Sequence, residues 1–135
     1  MGEYIQELSD LGTGKLKVSK SSWKIEYYLA GPDYRYNGEF FIINGNDVRS
    51  YIDAYKTNWE KYQKLLKTIP REGEYSVLGA KGMTIRVHGK YWNGICIKNY
   101  RLPIDSEKVL NHKIKEYERA IKLAKNIQVT LKEFL

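Results

Sequence analysis

Between residues 15 and 29 apolar and polar positions alternate. Leu16 and Val18 are set off by Lys15 and Lys17, and Trp23, Ile25, Tyr27 and Leu29 by Lys24, Glu26 and Tyr28. A period of two puts one set of side chains on each face of a strand, so two strands with one buried face are predicted here. Gly31-Pro32-Asp33 has turn chemistry, and Asn37-Gly38 supplies the positive φ of a tight hairpin turn. The run Phe40-Phe41-Ile42-Ile43 has no polar position, which predicts a central strand covered on both sides.

From residue 48 the period changes. Val48, Ile52, Tyr55, Trp59, Tyr62, Leu66 and Ile69 succeed one another at gaps of 4, 3, 4, 3, 4 and 3, the seam of an amphipathic helix. Asn44-Gly45-Asn46-Asp47 breaks the preceding strand and supplies a cap. Pro70 ends the helix by disfavouring α geometry at Ile69.

The same succession then repeats. Tyr75 and Val77 read as a strand, residues 79–82 as a turn, and Met83, Ile85 and Val87 alternate with Thr84, Arg86 and His88. Tyr91-Trp92-Asn93-Gly94 and Ile95-Cys96-Ile97 give a further strand, with an extra one through Tyr100, Leu102 and Ile104. Pro103, Asp105 and Ser106 open a last helix whose seam is Leu110, Ile114, Tyr117, Ile121 and Ala124. Ala120, Leu123, Ile127 and Leu131 widen that face. Ahead of all this, Tyr4, Ile5, Leu8 and Leu11 fall at helical spacing and Gly12 stops them, so residues 1–11 are predicted as a short helical segment.

Trp23-Lys24-Ile25 aligns with Met83-Thr84-Ile85, Tyr36-Asn37-Gly38 with Trp92-Asn93-Gly94, and Tyr62 and Leu66 with Tyr117 and Ile121. The expected fold is therefore α+β, one domain over 1–135 built from tandem βββα units at 12–70 and 71–135. They would share one antiparallel sheet of about six strands, with two long helices on one face. An internal duplication is one source of this pattern; shared ββα grammar is the other.

Composition adds limits. A chain of 135 residues with 42% hydrophobic and 29% charged residues is globular in class. The lone Cys96 excludes an internal disulfide and a Cys-rich zinc site. The acidic start (Glu3, Glu7, Asp10) lacks the basic and apolar regions of a signal peptide, and no apolar run is long enough for a membrane span. A cytoplasmic protein without membrane association is the expectation.

Net charge is +7, and the block 71–104 carries +4 where 12–46 carries +2. A folded basic surface points to an anionic partner; a solvated lysine-rich surface is the plain alternative.

No stretch carries a specific catalytic or ligand motif. Gly12-Thr13-Gly14-Lys15 resembles a phosphate loop only in part, because Ser9 stands where glycine is needed and Leu16 where Ser or Thr is needed. His112 and Glu116 have helical spacing for a metal pair, but such a pair is commonplace, and no metal or cofactor is expected. Arg86, His88, Lys90 and Tyr91 could together serve metal-free RNA cleavage, against the simpler reading of polar residues on an open sheet face. Cys96, between two isoleucines, reads as a small hydrophobe.

Strand alternation gathers Lys24, Glu26 and Tyr28, and Thr84, Arg86 and His88, on the face turned away from the helices. Trp92, Cys96 and Lys98 are expected beside them. Interleaved cations and aromatics suit phosphates and bases. The expectation is a non-enzymatic binding protein using Lys24, Tyr28, Arg86, His88, Trp92, Lys98 and Arg101 to contact an anionic partner, DNA or RNA first. The alternative is a phage or mobile-element inhibitor of a host defence system, acting as anti-CRISPR proteins do by contact with a host nucleic-acid-binding complex, or a sponge for a nucleotide signal. A homodimer is compatible with either.

Overall fold

The computed structural model describes residues 3–8, 14–29, 39–97 and 103–134. The chain is α+β, with two antiparallel sheets and two long helices in place of one shared sheet. Strands β1 (Tyr4–Glu7), β2 (Gly14–Val18), β3 (Trp23–Leu29) and β4 (Glu39–Asn44) form a four-stranded sheet in that order. Helix α1 (Val48–Thr68) follows. Strands β5 (Tyr75–Leu78), β6 (Thr84–Val87) and β7 (Gly94–Cys96) form a three-stranded sheet, and helix α2 (Glu107–Glu133) closes the chain. No helix among the described residues is long and apolar enough to cross a membrane.

The compact units do not follow the sequential division at residue 70. One consists of Met1–Arg49 with Lys115–Leu135, the other of Ser50–Ile114. Thus the four-stranded sheet is grouped with the C-terminal part of α2, and the three-stranded sheet with nearly all of α1 and the first turns of α2. Each helix belongs chiefly with the sheet that does not immediately precede it. Burial of an apolar seam is not directional, so adjacency in sequence does not decide which sheet a helix covers. Among the described residues 12–70 holds β2, β3, β4 and α1 and 71–135 holds β5, β6, β7 and α2, so the sheets differ in strand number because β1, from the segment expected to be helical, joins the first.

In the first unit, Leu16 and Ile25 are cross-strand partners and Ile25 is in turn opposite Ile43. All three are buried. Tyr117 and Ala124 of α2 are fully buried, and the Tyr117 ring lies 6.4 Å from that of Tyr27. Gln128 Nε2 donates to the Ser19 carbonyl at 3.2 Å, joining α2 to the turn after β2. Gly45, in the 3₁₀ turn before α1, is required by contact. A Cβ there would stand 2.3 Å from the Trp23 indole nitrogen.

Two expectations for this sheet are corrected. Residues 4–7 are a strand, not part of a helix: β1 pairs in register with β2, Tyr4 opposite Val18 and Glu7 opposite Lys15. The four apolar residues with helical spacing cover only about two turns, too few for a stable helix by itself, whereas pairing satisfies a row of otherwise open backbone groups on β2. The strand β4 lies at the edge of the sheet among the described residues, not at its centre. Ile43 faces the core and Ile42 is 44% exposed. The hairpin turns expected at residues 31–38, including Tyr36-Asn37-Gly38, lie outside the described residues, as do Tyr100 and Leu102.

In the second unit the core includes Ile85, Val87 and Ile95 from the sheet and Met83 from the turn before β6, with Ile52, Tyr55, Tyr62, Leu110 and Ile114 from the helices. Ile104 is fixed by two backbone hydrogen bonds with Ile95, at 2.8 and 2.9 Å. That pairing is what remains, among the described residues, of the extra strand anticipated there. Ser106 caps α2, its Oγ accepting from the Val109 N–H at 3.2 Å. The α1 seam is displaced from the apolar spacing: Asn58 is 1% exposed, while Leu66 is 40% exposed.

Candidate functional site

The three-stranded sheet places Arg86 by alternation. Ile85 and Val87 are buried, so Thr84 and Arg86 take the opposite face. Arg86 lies across from Ser76 on β5 and from Gly94 on β7. Its Nε donates to Ser76 Oγ at 2.9 Å, and its guanidinium is 3.3 Å from the Glu74 carboxylate. The guanidinium carbon also sits 4.7 Å from the centre of the Trp92 ring, a cation–π contact. Arg86 and Trp92 therefore share a face, as the alternation predicts.

The loop between β6 and β7 holds Trp92 there. Asn93 Oδ1 accepts from the Gly89 N–H at 2.6 Å, and its Nδ2 donates to the Gly89 carbonyl at 3.2 Å. Gly89 is close to Arg86: a Cβ on it would lie 2.6 Å from Arg86 Cδ. Gly94 has φ +114, and a Cβ there would meet the Ile104 carbonyl oxygen at 2.1 Å. Tyr91 is 85% exposed, with Lys90 Nζ 5.6 Å from its ring centre.

His88 does not continue the alternation. Its φ of +56 ends β6 at Val87, and Nε2 lies 2.9 Å from the Ile69 carbonyl at the end of α1. A carbonyl only accepts, so Nε2 is the donor and His88 satisfies one of the helix's terminal carbonyls. Its ring is directed to α1, away from the Arg86 face where both the contact site and the RNA-cleavage arrangement had placed it.

Lys24 belongs to the other unit. It lies on the outward face of β3, opposite Lys17, and both ammonium groups approach Glu26, at 3.0 Å from Lys17 and 3.8 Å from Lys24. This face alternates charge sign. Tyr28 is placed in β3 by its backbone. The side chain of Tyr28, and Lys98 and Arg101 entirely, lie outside the described residues. Of the seven residues expected to form one site, the structure brings Arg86 and Trp92 together.

Cys96 is 2% exposed although it lies opposite Thr84 on the outward row. His112 is exposed and Glu116 buried, and among the described residues no group of three or more His, Cys, Asp or Glu could hold a metal ion.

Other cations stand on α2. Lys115, Arg119, Lys122 and Lys125 are all exposed and follow at helical spacing on the side opposite the buried Tyr117, Ala120 and Ala124, with Glu118 the acid among them. The signal for this stripe was the i, i+4, i+7 recurrence of cations off the apolar seam. On α1 the corresponding exposed row mixes signs, Asp53, Lys56, Glu60 and Lys64 in turn.

Neither protein-family models, curated proteins nor solved structures show a significant match to this chain.

Proposed function

We propose that this is a non-enzymatic binding protein for a polyanion, with DNA or RNA the first choice. The observation that carries the reading is the α2 stripe, in which Lys115, Arg119, Lys122 and Lys125 project from about three turns of one rigid helix. By contrast Lys17, Lys24 and Arg86 on the sheet faces are drawn to Glu26 and Glu74. A row of exposed ammonium and guanidinium groups neutralises successive phosphates and releases their counterions, a term that needs no sequence readout. Arg86 stacked on Trp92 is a second place for contact, where an indole face beside a cation can take a base.

Binding to single- and double-stranded DNA and RNA, titrated by fluorescence anisotropy at rising salt, tests this. The expected result is an affinity that falls linearly on a double-logarithmic plot. Absence of binding to all four at low salt overturns it. Retention of a stoichiometric host protein from nuclease-treated lysate, with no nucleic acid bound, would favour the inhibitor alternative.

A further inference from the structure

The strand β5 is the edge of its sheet among the described residues, and its four residues are the one protection it has. Its sequence Tyr-Ser-Val-Leu has no charge and no proline. Ser76 is exposed, Tyr75 is 40% exposed and Leu78 is 69% exposed.

The ladder fixes which backbone groups are open. Gly79 N–H donates to the Met83 carbonyl at 2.7 Å, so Gly79 and Met83 form a hydrogen-bonded pair. Hydrogen-bonded and non-hydrogen-bonded pairs alternate in an antiparallel ladder. Val77 opposite Ile85 and Tyr75 opposite Val87 are then bonded to β6, and the N–H and C=O groups of Ser76 and Leu78 point outward.

We infer that β5 pairs with β5 of a second copy of this chain, antiparallel about a two-fold axis through Val77. In that register Ser76 of each copy faces Leu78 of the other and they exchange both hydrogen bonds, while the two Val77 residues form the central non-bonded pair. The helix-facing sides of the two sheets coincide, as they do not if the register shifts by one. Tyr75 falls opposite Gly79 of the second copy, where no side chain obstructs the ring. The exposed Leu78 is covered beside Ser76 and Arg86 of the second copy.

Charge agrees with the direction. Arg71, Glu72 and Glu74, with a net charge of −1, precede β5 and Lys81 follows it, all four exposed, with Glu74 near Arg86 and Lys81 over the Tyr51 ring of the same chain. Antiparallel self-pairing sets the acidic end of each strand beside the basic end of the other; a parallel arrangement would set like against like. The product is a continuous six-stranded sheet built from two copies of β5, β6 and β7.

Four residues a side bury well under the ~1,200 Å² of a stable complex. Association is therefore weak. Sedimentation equilibrium of the full chain from about 10 µM to about 1 mM measures it.

The weight-average mass is expected to rise from 15.8 kDa toward twice that value. Amide exchange at Ser76 and Leu78 should slow several-fold with concentration while other edge amides do not change. Leu78→Lys, which sets a cation against Arg86 of the second copy, should hold the chain monomeric with an unchanged circular dichroism spectrum. Leu66→Lys, at an exposed leucine of α1, should leave self-association intact.

A monomer throughout the range overturns the inference. So does a dimer whose Ser76 and Leu78 amides exchange freely, or equal loss of association in both leucine variants.

Discussion

Asn58, near the middle of α1, uses both ends of its side-chain amide on one residue of the β5–β6 hairpin. Its Oδ1 accepts from the Ala80 N–H at 2.8 Å, and its Nδ2 donates to the Ala80 carbonyl at 3.1 Å. The Nδ2 also lies 3.2 Å from Met83 Sδ. A buried amide in an apolar seam is costly unless satisfied. Here it is satisfied by a turn whose Ala80 carbonyl also accepts from the Met83 N–H at 3.2 Å. Gly79 makes room, since a Cβ there would be 2.3 Å from Asn58 Oδ1.

Asn58→Ala is expected to destabilise the protein by about 1–3 kcal/mol, the cost of leaving the Ala80 groups without the amide and a small cavity beside Met83. Gly79→Ala should cost a similar amount through its clash with the same amide. The double variant should lose less than the sum, because removal of the amide relieves the clash. Urea denaturation of the four proteins measures the coupling, and simple additivity would contradict the proposed contact.

At Gly94 two constraints coincide. The φ of +114 disfavours any L side chain, and the Cβ position is 2.1 Å from the Ile104 carbonyl, a backbone atom that is itself bonded to Ile95. Gly94→Ala should cost about 4 kcal/mol or more and lower the thermal midpoint sharply. Gly82→Ala has positive φ but open space around it, so a cost of only about 1 kcal/mol is expected in the same melt.

The contact of His88 with Ile69 predicts an order of stability. His88→Ala loses the hydrogen bond and retains an unfavourable left-handed φ, whereas His88→Gly loses only the bond. The glycine variant should be the more stable of the two by about 1 kcal/mol in chemical denaturation. Polyanion affinity should be equal in both and close to that of the wild type; a matched loss of affinity in both would return His88 to the contact surface.

Replacing Lys115, Arg119, Lys122 and Lys125 together by Gln should weaken polyanion binding. If all four face phosphates, the slope of log affinity against log salt should fall by about 3–4. Replacing Lys56, Lys61 and Lys64 of α1 in the same way should change it far less, since that helix interleaves Asp53 and Glu60. Equal effects of the two sets would mean that net charge alone governs binding.

Burial raises the Tyr62 phenol above its ordinary value of 10.0, with the negative charge of Asp105 adding in the same direction. The folded state thus holds the phenolic proton more tightly than the unfolded chain does. Stability from this group is complete below pH 10 and is lost as pH rises through the folded value. Tyr62→Phe should therefore lose less stability than the wild type between neutral pH and pH 11, read as the difference between their urea midpoints.

Much of the local structure was legible along the chain. Regular spacing marked α1 and α2, because a long amphipathic seam has no other compact use. Alternation marked β2, β3, β5 and β6 and correctly set Arg86 opposite the buried Ile85. Pro70 and Ser106 carry local preferences that hold in almost any surroundings.

What followed from tertiary structure was everything that depends on a distant partner. Tyr4-Ile5-Gln6-Glu7 is a strand because β2 offers an open edge, a fact absent from those four residues. Asn58 replaces an apolar residue in the seam because the backbone of Ala80 meets it, and His88 leaves its strand to reach a helix end. The salt bridges that bind Lys24 to Glu26 and Arg86 to Glu74 follow from register and from the path of the chain before β5, so the basic surface could not be placed by counting charges. Sequence established that two amphipathic helices and two sets of strands exist. Which helix joins which sheet was decided in three dimensions, since hydrophobic burial rewards area and fit and is indifferent to the order of the chain.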